Sequence, residues 1–151
     1  MINNKIVILV TAAGSGGVGE QILKALNIAN QSHNKYYVIS GDANSDSLKF
    51  SKSDEIIQLP KASDPNYINF VLNFCQEKSC KAVFYGCEPD LKILSENRDV
   101  FDTSGIFLTL NPQNVIDDCF DKVKTGELLK SLGFCPPQWL EIDPSTNFEN
   151  I

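Results

Sequence analysis

The stretch Gly14-Ser15-Gly16-Gly17-Val18-Gly19 carries more chemical content than any other in this chain. Gly14, Gly16 and Gly19 satisfy G-x-G-x-x-G between an apolar run and an amphipathic stretch. In that setting the first glycine permits a tight turn. The second lets backbone N–H groups approach an anion, and the third lets a helix pack close to a sheet. The helix N-terminus adds unpaired donors and the positive end of a dipole. The same glycines also suffice for a plain strand-to-helix turn. The loop fits G-x-x-x-x-G as well. Glu20 and Gln21 then stand where a triphosphate-binding loop needs Lys and Ser/Thr, and Glu20 would repel a polyphosphate, so that site is excluded.

A dinucleotide is compatible with the loop, because Asp42 falls about 20 residues beyond it, where a ribose-binding acid belongs. Asp42 equally suits the turn Gly41-Asp42-Ala43-Asn44. Glu88 follows the fourth apolar run in Gly86-Cys87-Glu88-Pro89. It can border the same crevice as the glycine loop, or simply open a helix with favourable dipole geometry. Cys87 has a nucleophile's position, but no histidine lies near it in sequence and Glu88 would raise its pKa. The chain's one histidine, His33, lies in a polar run. Asp121-Lys122-Val123-Lys124-Thr125 reads alone as a charged helix face.

These residues need elements to hold them. Ile6–Val10 is continuous and β-branched, as in a strand buried on both faces. Further strands are expected at 36–39, 56–59, 82–85 and 106–109, with amphipathic helices between them. Asp64-Pro65, Glu88-Pro89 and Asn111-Pro112 read as helix starts. Residues 45–53 suggest a short helix, and Gly133 a helix stop. Alternating strands and helices imply an α/β fold: a doubly wound, Rossmann-like parallel sheet of about five strands, order 3-2-1-4-5, with helices on both faces. Residues 1–110 read as the Rossmann-like domain, 111–140 as a helical segment, and 141–151 as a boundary or the start of another domain.

The chain has 151 residues and a net charge of −6. An acidic chain with a single arginine neutralises few phosphates, which argues against nucleic acid as a partner. No apolar run reaches the roughly 20 residues that span a bilayer, and no signal peptide is legible. Five cysteines without a C-x-x-C spacing point to reduced thiols in the cytoplasm rather than to disulfides or zinc.

Taken together, these motifs resemble the N-terminal, pre-ATP-grasp region of ATP-grasp enzymes similar to the carbamoyl-phosphate synthase large subunit. The resemblance runs from Lys5 to about Leu140. It passes through Val10 to Gly17, Gly41 to Asn44, Asp64 to Ile68 and Glu88 to Leu91. It ends in the series Asp121-Lys122, Thr125, Leu129, Gly133 and Pro137. It implies part of an ATP-dependent carboxylate–amine ligase acting through an acyl phosphate. Gly14, Ser15, Gly16, Gly17, Gly19, Asp42 and Glu88 would line the substrate side, and Lys122 would reach nucleotide phosphates as a point charge. ATP and Mg2+ would act in the full-length enzyme, with the clamp and metal ligands in downstream ATP-grasp domains. Tight nucleotide binding and catalysis are therefore not expected of these 151 residues alone. The partners would be a small-molecule carboxylate and those domains. The alternative reading is an NAD-type or regulatory Rossmann module.

Overall fold

The computed structural model describes residues 4–14, 16–49 and 51–139, so Ser15, Leu140 and the expected boundary at 141–151 lie outside the described residues. The chain divides into two compact units, residues 1–110 and 111–151.

The first unit is built on β1 (Ile6–Val10), whose Val7 to Val10 are all buried. β1 pairs in parallel with β2 (Tyr36–Asp42) on one side and β4 (Ala82–Phe84) on the other. β3 (Glu55–Gln58) extends the sheet beyond β2, and β5 (Phe107–Leu108) extends it beyond β4. The order is β3-β2-β1-β4-β5, the doubly wound arrangement expected from the sequence.

Side chains alternate across a strand, and here the alternation sorts two cores. Ile8, Val10 and Val38 face Leu23 of α1 (Val18–His33) and Leu48. Val7, Leu9, Ile39 and Val83 face the other way. They pack on Tyr67, Val71 and Cys75 of α2 (Tyr67–Glu77), Leu94 of α3 (Glu88–Glu96) and Phe101 of α4 (Arg98–Thr103). Leu9 and Ile39 pair across the two central strands with no exposed surface. Truncating either to alanine should cost about 2–5 kcal/mol.

Local starts differ from the sequence reading in instructive ways. α2 begins at Tyr67, not at Pro65. The Asp64 carboxylate accepts the Asn66 N–H at 2.8 Å, which closes a turn before the helix rather than capping it. Residues 45–48 form a single 3₁₀ turn. His33 is the exposed last residue of α1.

In the second unit, the expected charged face at 121–125 is a junction between α5 (Gln113–Phe120) and α6 (Lys122–Ser131). The Asp121 carboxylate accepts the N–H groups of Val123 and Lys124 at 2.9 and 3.3 Å. The Thr125 hydroxyl donates back to the carbonyls of Asp121 and Asp118. Asp121 thus caps α6, and the D-K-x-x-T series is at minimum a helix-starting device. Gly133, at φ +82, ends α6 as expected. The Trp139 ring lies over Gly126, 2.6 Å from where a Cβ would stand.

Candidate functional site

The segment after β1 is stitched to both neighbouring strands. Thr11 N–H donates to Phe84 at 2.9 Å, and Ala13 N–H to Gly41 at 3.0 Å. Between them Ala12 adopts φ +44, a left-handed conformation uncommon for a residue with a Cβ. Its carbonyl meets Gly19 so closely that a Cβ there would clash. A Cβ on Gly86, in the loop after β4, would strike the Thr11 and Ala12 carbonyls and come within 2.8 Å of Gly19 Cα. Gly19 and Gly86 therefore let α1, β1 and the β4 loop meet backbone to backbone. Gly14 is equally confined, with Asp42 Oδ2 2.6 Å from the position of an added Cβ.

Two of the loop's N–H groups are already engaged. Gly14 N–H donates to Asp42 Oδ2 at 2.8 Å, and Asn44 N–H to Asp42 Oδ1 at 2.9 Å. Gly16 N–H, which an anion would need, donates to Glu20 Oε2 at 2.8 Å. Glu20 also pairs with Lys24 at 2.9 Å. The Lys24 partner and the Gly16 N–H hold the Glu20 carboxyl below the usual carboxylate range. The loop supplies its own anion at the helix end, which a nucleotide phosphate would have to displace. The dinucleotide alternative is disfavoured for the same reason.

A cleft of about 380 Å3 opens beside the loop, over the carboxyl ends of the strands. Because α1 leaves to one side of β1 and α2 returns over the other, this is where such sheets bind ligands. Ala12, Asp42, Leu59, Tyr67, Cys87 and Asp90 line it, with Lys61 at its rim among others. Asp90, in the first turn of α3, is 6% exposed. Burial raises its carboxyl above the ordinary aspartate range, while the hydroxyls of Thr11 and Tyr67 and the Cys87 thiol act in the opposite direction. The Thr11 Oγ1 and Tyr67 Oη atoms are buried, yet neither completes a hydrogen bond of standard geometry. The two hydroxyls and the Asp90 carboxyl thus meet in one buried polar cluster behind the cleft wall, the kind of place where a water or ligand can improve an incomplete network. Burial, together with the Asp90 and Asp42 carboxylates, pushes the Cys87 thiol up to about 11, so it is no nucleophile near neutral pH.

Of the residues singled out from sequence, the structure brings Asp42 into the cleft and ties Gly14 to it. Gly16 and Gly17 are exposed. Glu88 is also exposed, and its neighbours Cys87, Pro89 and Asp90 line the cleft instead. Lys122 is the exposed first residue of α6 in the second unit. Sequence reasoning missed Asp90, Tyr67 and Thr11. Asp90 was hidden behind Glu88-Pro89, and Tyr67 was hidden in the apolar stripe of α2. Among the described residues no group of three or more His, Cys, Asp or Glu could hold a metal ion, and no helix is long and apolar enough to cross a membrane.

Residues 8–109 match the family described as PylC-like, N-terminal domain. No curated protein matches the chain. Among solved structures, a complete multifunctional pyruvate carboxylase from Rhizobium etli aligns at 19% identity and a TM-score of 0.58. The alignment covers 91% of this chain and 13% of that one. The biotin carboxylase domain of a single-chain bacterial carboxylase aligns at 20% identity and 0.53, covering 97% and 33%. The biotin carboxylase domain of a Hydrogenobacter thermophilus 2-oxoglutarate carboxylase aligns at 18% and 0.52, covering 84% and 27%. At these identities the likeness establishes the fold, and this chain spans a third or less of each of those chains.

Proposed function

The chain belongs to the PylC-like N-terminal domain family, a pre-ATP-grasp class of domain, and we propose that it forms the substrate-side cleft of an ATP-grasp ligase. In this reading a small carboxylate or its amine partner enters over β1, β2 and β4. There it meets the wall formed by Asp90 and Tyr67, with the Thr11 hydroxyl buried behind them. The buried cluster of the Asp90 carboxyl with the Thr11 and Tyr67 hydroxyls, whose mutual hydrogen bonds fall short of standard geometry, carries the proposal. Asp42 serves by holding Gly14 and the loop in place, and the loop glycines serve by letting β1, α1 and the β4 loop meet.

ATP and Mg2+ belong, on this proposal, to a partner ATP-grasp domain that activates the carboxylate. The H. thermophilus carboxylase domain, solved in complex with MgADP and bicarbonate, supports that division of labour. Lys122 facing the nucleotide, likeness to the carbamoyl-phosphate synthase large subunit within the class, and a cytoplasmic setting are parts of the same proposal. The test is steady-state kinetics of the enzyme containing this domain, following ADP release. Tyr67→Phe and Asp90→Asn should raise the KM for the carboxylate or amine at least tenfold while leaving the KM for ATP unchanged. A rise in the ATP KM alone would refute the assignment.

A further inference from the structure

Helix α2 ends in a pair of nested hydrogen bonds. Cys80 N–H donates to the Cys75 carbonyl at 2.8 Å, and Ser79 N–H to the Gln76 carbonyl at 3.1 Å. Ser79 sits between them at φ +56. This is the Schellman arrangement, in which the residue two past the cap returns onto the last turn and touches the side chain five positions before it. Both residues in that contact are cysteines. Both are buried, at 0% and 3% exposure, in one core cluster. Covalent dimensions and the 2.8 Å bond limit their Cα–Cα separation to roughly 6.7 Å, inside the span a disulfide accepts.

We propose that Cys75 and Cys80 form a redox modification site, a dithiol that closes into a disulfide across the helix end when it meets a small organic disulfide. The two thiols are chemically unequal. Hydrogen bonding to Cys75 favours the Cys80 thiolate, and the same contact keeps the Cys75 thiol protonated. The Cys80 thiolate attacks one sulfur of the small disulfide, forming a mixed disulfide and releasing one thiolate. Cys75 then loses its proton, and its sulfur displaces the second small thiolate from Cys80. The external disulfide gains two electrons and two protons, and the chain gains one S–S bond. Opening of the helix end gives the reagent access. The bond fastens the end of α2, which begins with Tyr67, to the strand that leads to Cys87 and Asp90. The inference does not depend on the function proposed above.

The test uses the whole chain incubated with oxidised glutathione, acid-quenched, alkylated and digested with trypsin. Cleavage after Lys78 falls between the two cysteines. A closed bond therefore holds residues 62–78 and 79–81 together as one species that reduction splits. That species should exceed every other cysteine pairing at least tenfold. It should vanish in Cys80→Ser, persist in Cys119→Ser, and form at least tenfold less in urea-unfolded chain. If Cys75 and Cys80 stay alkylatable while the exposed Cys119 and Cys135 carry glutathione, the proposal fails. It also fails if folded and unfolded chains close the bond equally. The wild-type digest alone decides the question should a variant not fold.

Discussion

The Asp42 carboxylate accepts the Gly14 N–H at 2.8 Å across 28 residues of sequence. The acid that sequence spacing offers as a ribose ligand is thus the tether of the glycine loop. Its other oxygen holds Asn44 N–H at 2.9 Å, so one side chain fixes the turns after both β1 and β2.

Asp42→Ala should therefore lower stability by about 1.5–3 kcal/mol, the usual range for hydrogen bonds to a charged group. Asp42→Asn keeps one acceptor and should lose less. Urea denaturation of the two variants checks the order.

Gly86→Ala and Gly17→Ala should behave oppositely. A Cβ on Gly86 meets the backbone of Thr11, Ala12 and Gly19, whereas on Gly17 its nearest neighbour is Gly86 O at 3.8 Å. The first substitution should cost about 1–3 kcal/mol or more, because backbone cannot step aside. The second should stay within about 0.5 kcal/mol. Thermal unfolding of both proteins reads the contrast.

Asp90 sets a pH dependence of known sign. Its folded carboxyl titrates above the ordinary aspartate value because it is buried. The folded state then holds this proton more tightly than the unfolded chain does. Its contribution favours folding at low pH and is lost as pH rises through the raised folded value. Denaturation across pH 4 to 7 should show wild type losing stability relative to Asp90→Asn as pH increases. A difference that is flat or runs the other way would exclude the buried carboxyl described here.

Gly126→Ala should dislodge Trp139, whose ring occupies the place of the new methyl group. Trp139 is the chain's only tryptophan, so its fluorescence reports on this contact alone. Emission should shift to the red with more solvent exposure. Unchanged emission would mean the ring does not rest on α6.

The sheet was legible because a parallel strand buried on both faces must be a continuous apolar run, and Ile6–Val10 is one. The order 3-2-1-4-5 followed from alternation and crossover handedness. The site was harder to read, because hydroxyls and carboxyls belong to it by three-dimensional convergence. Tyr67 reads as one more apolar position of α2, and only the fold brings its hydroxyl to Asp90. Glu88 and Asp90 are two residues apart on a helix and so point to different sides. Sequence reasoning picked Glu88, and burial selects Asp90. The Cys75–Cys80 contact was invisible for a related reason: the expected C-x-x-C spacing belongs to a helix start, whereas this pair meets across a helix end.

The most direct test of the central claim is an amide chemical-shift titration of the chain with bicarbonate and glycine, then with Mg-ATP. The account predicts saturable shifts from at least one small carboxylate at Ala12, Ala43, Ser63, Cys87 and Asp90. Mg-ATP should produce no saturable shift at Gly16, Gly17 or Glu20. Micromolar saturation of the glycine loop by Mg-ATP, with the cleft amides unmoved by either carboxylate, would contradict it.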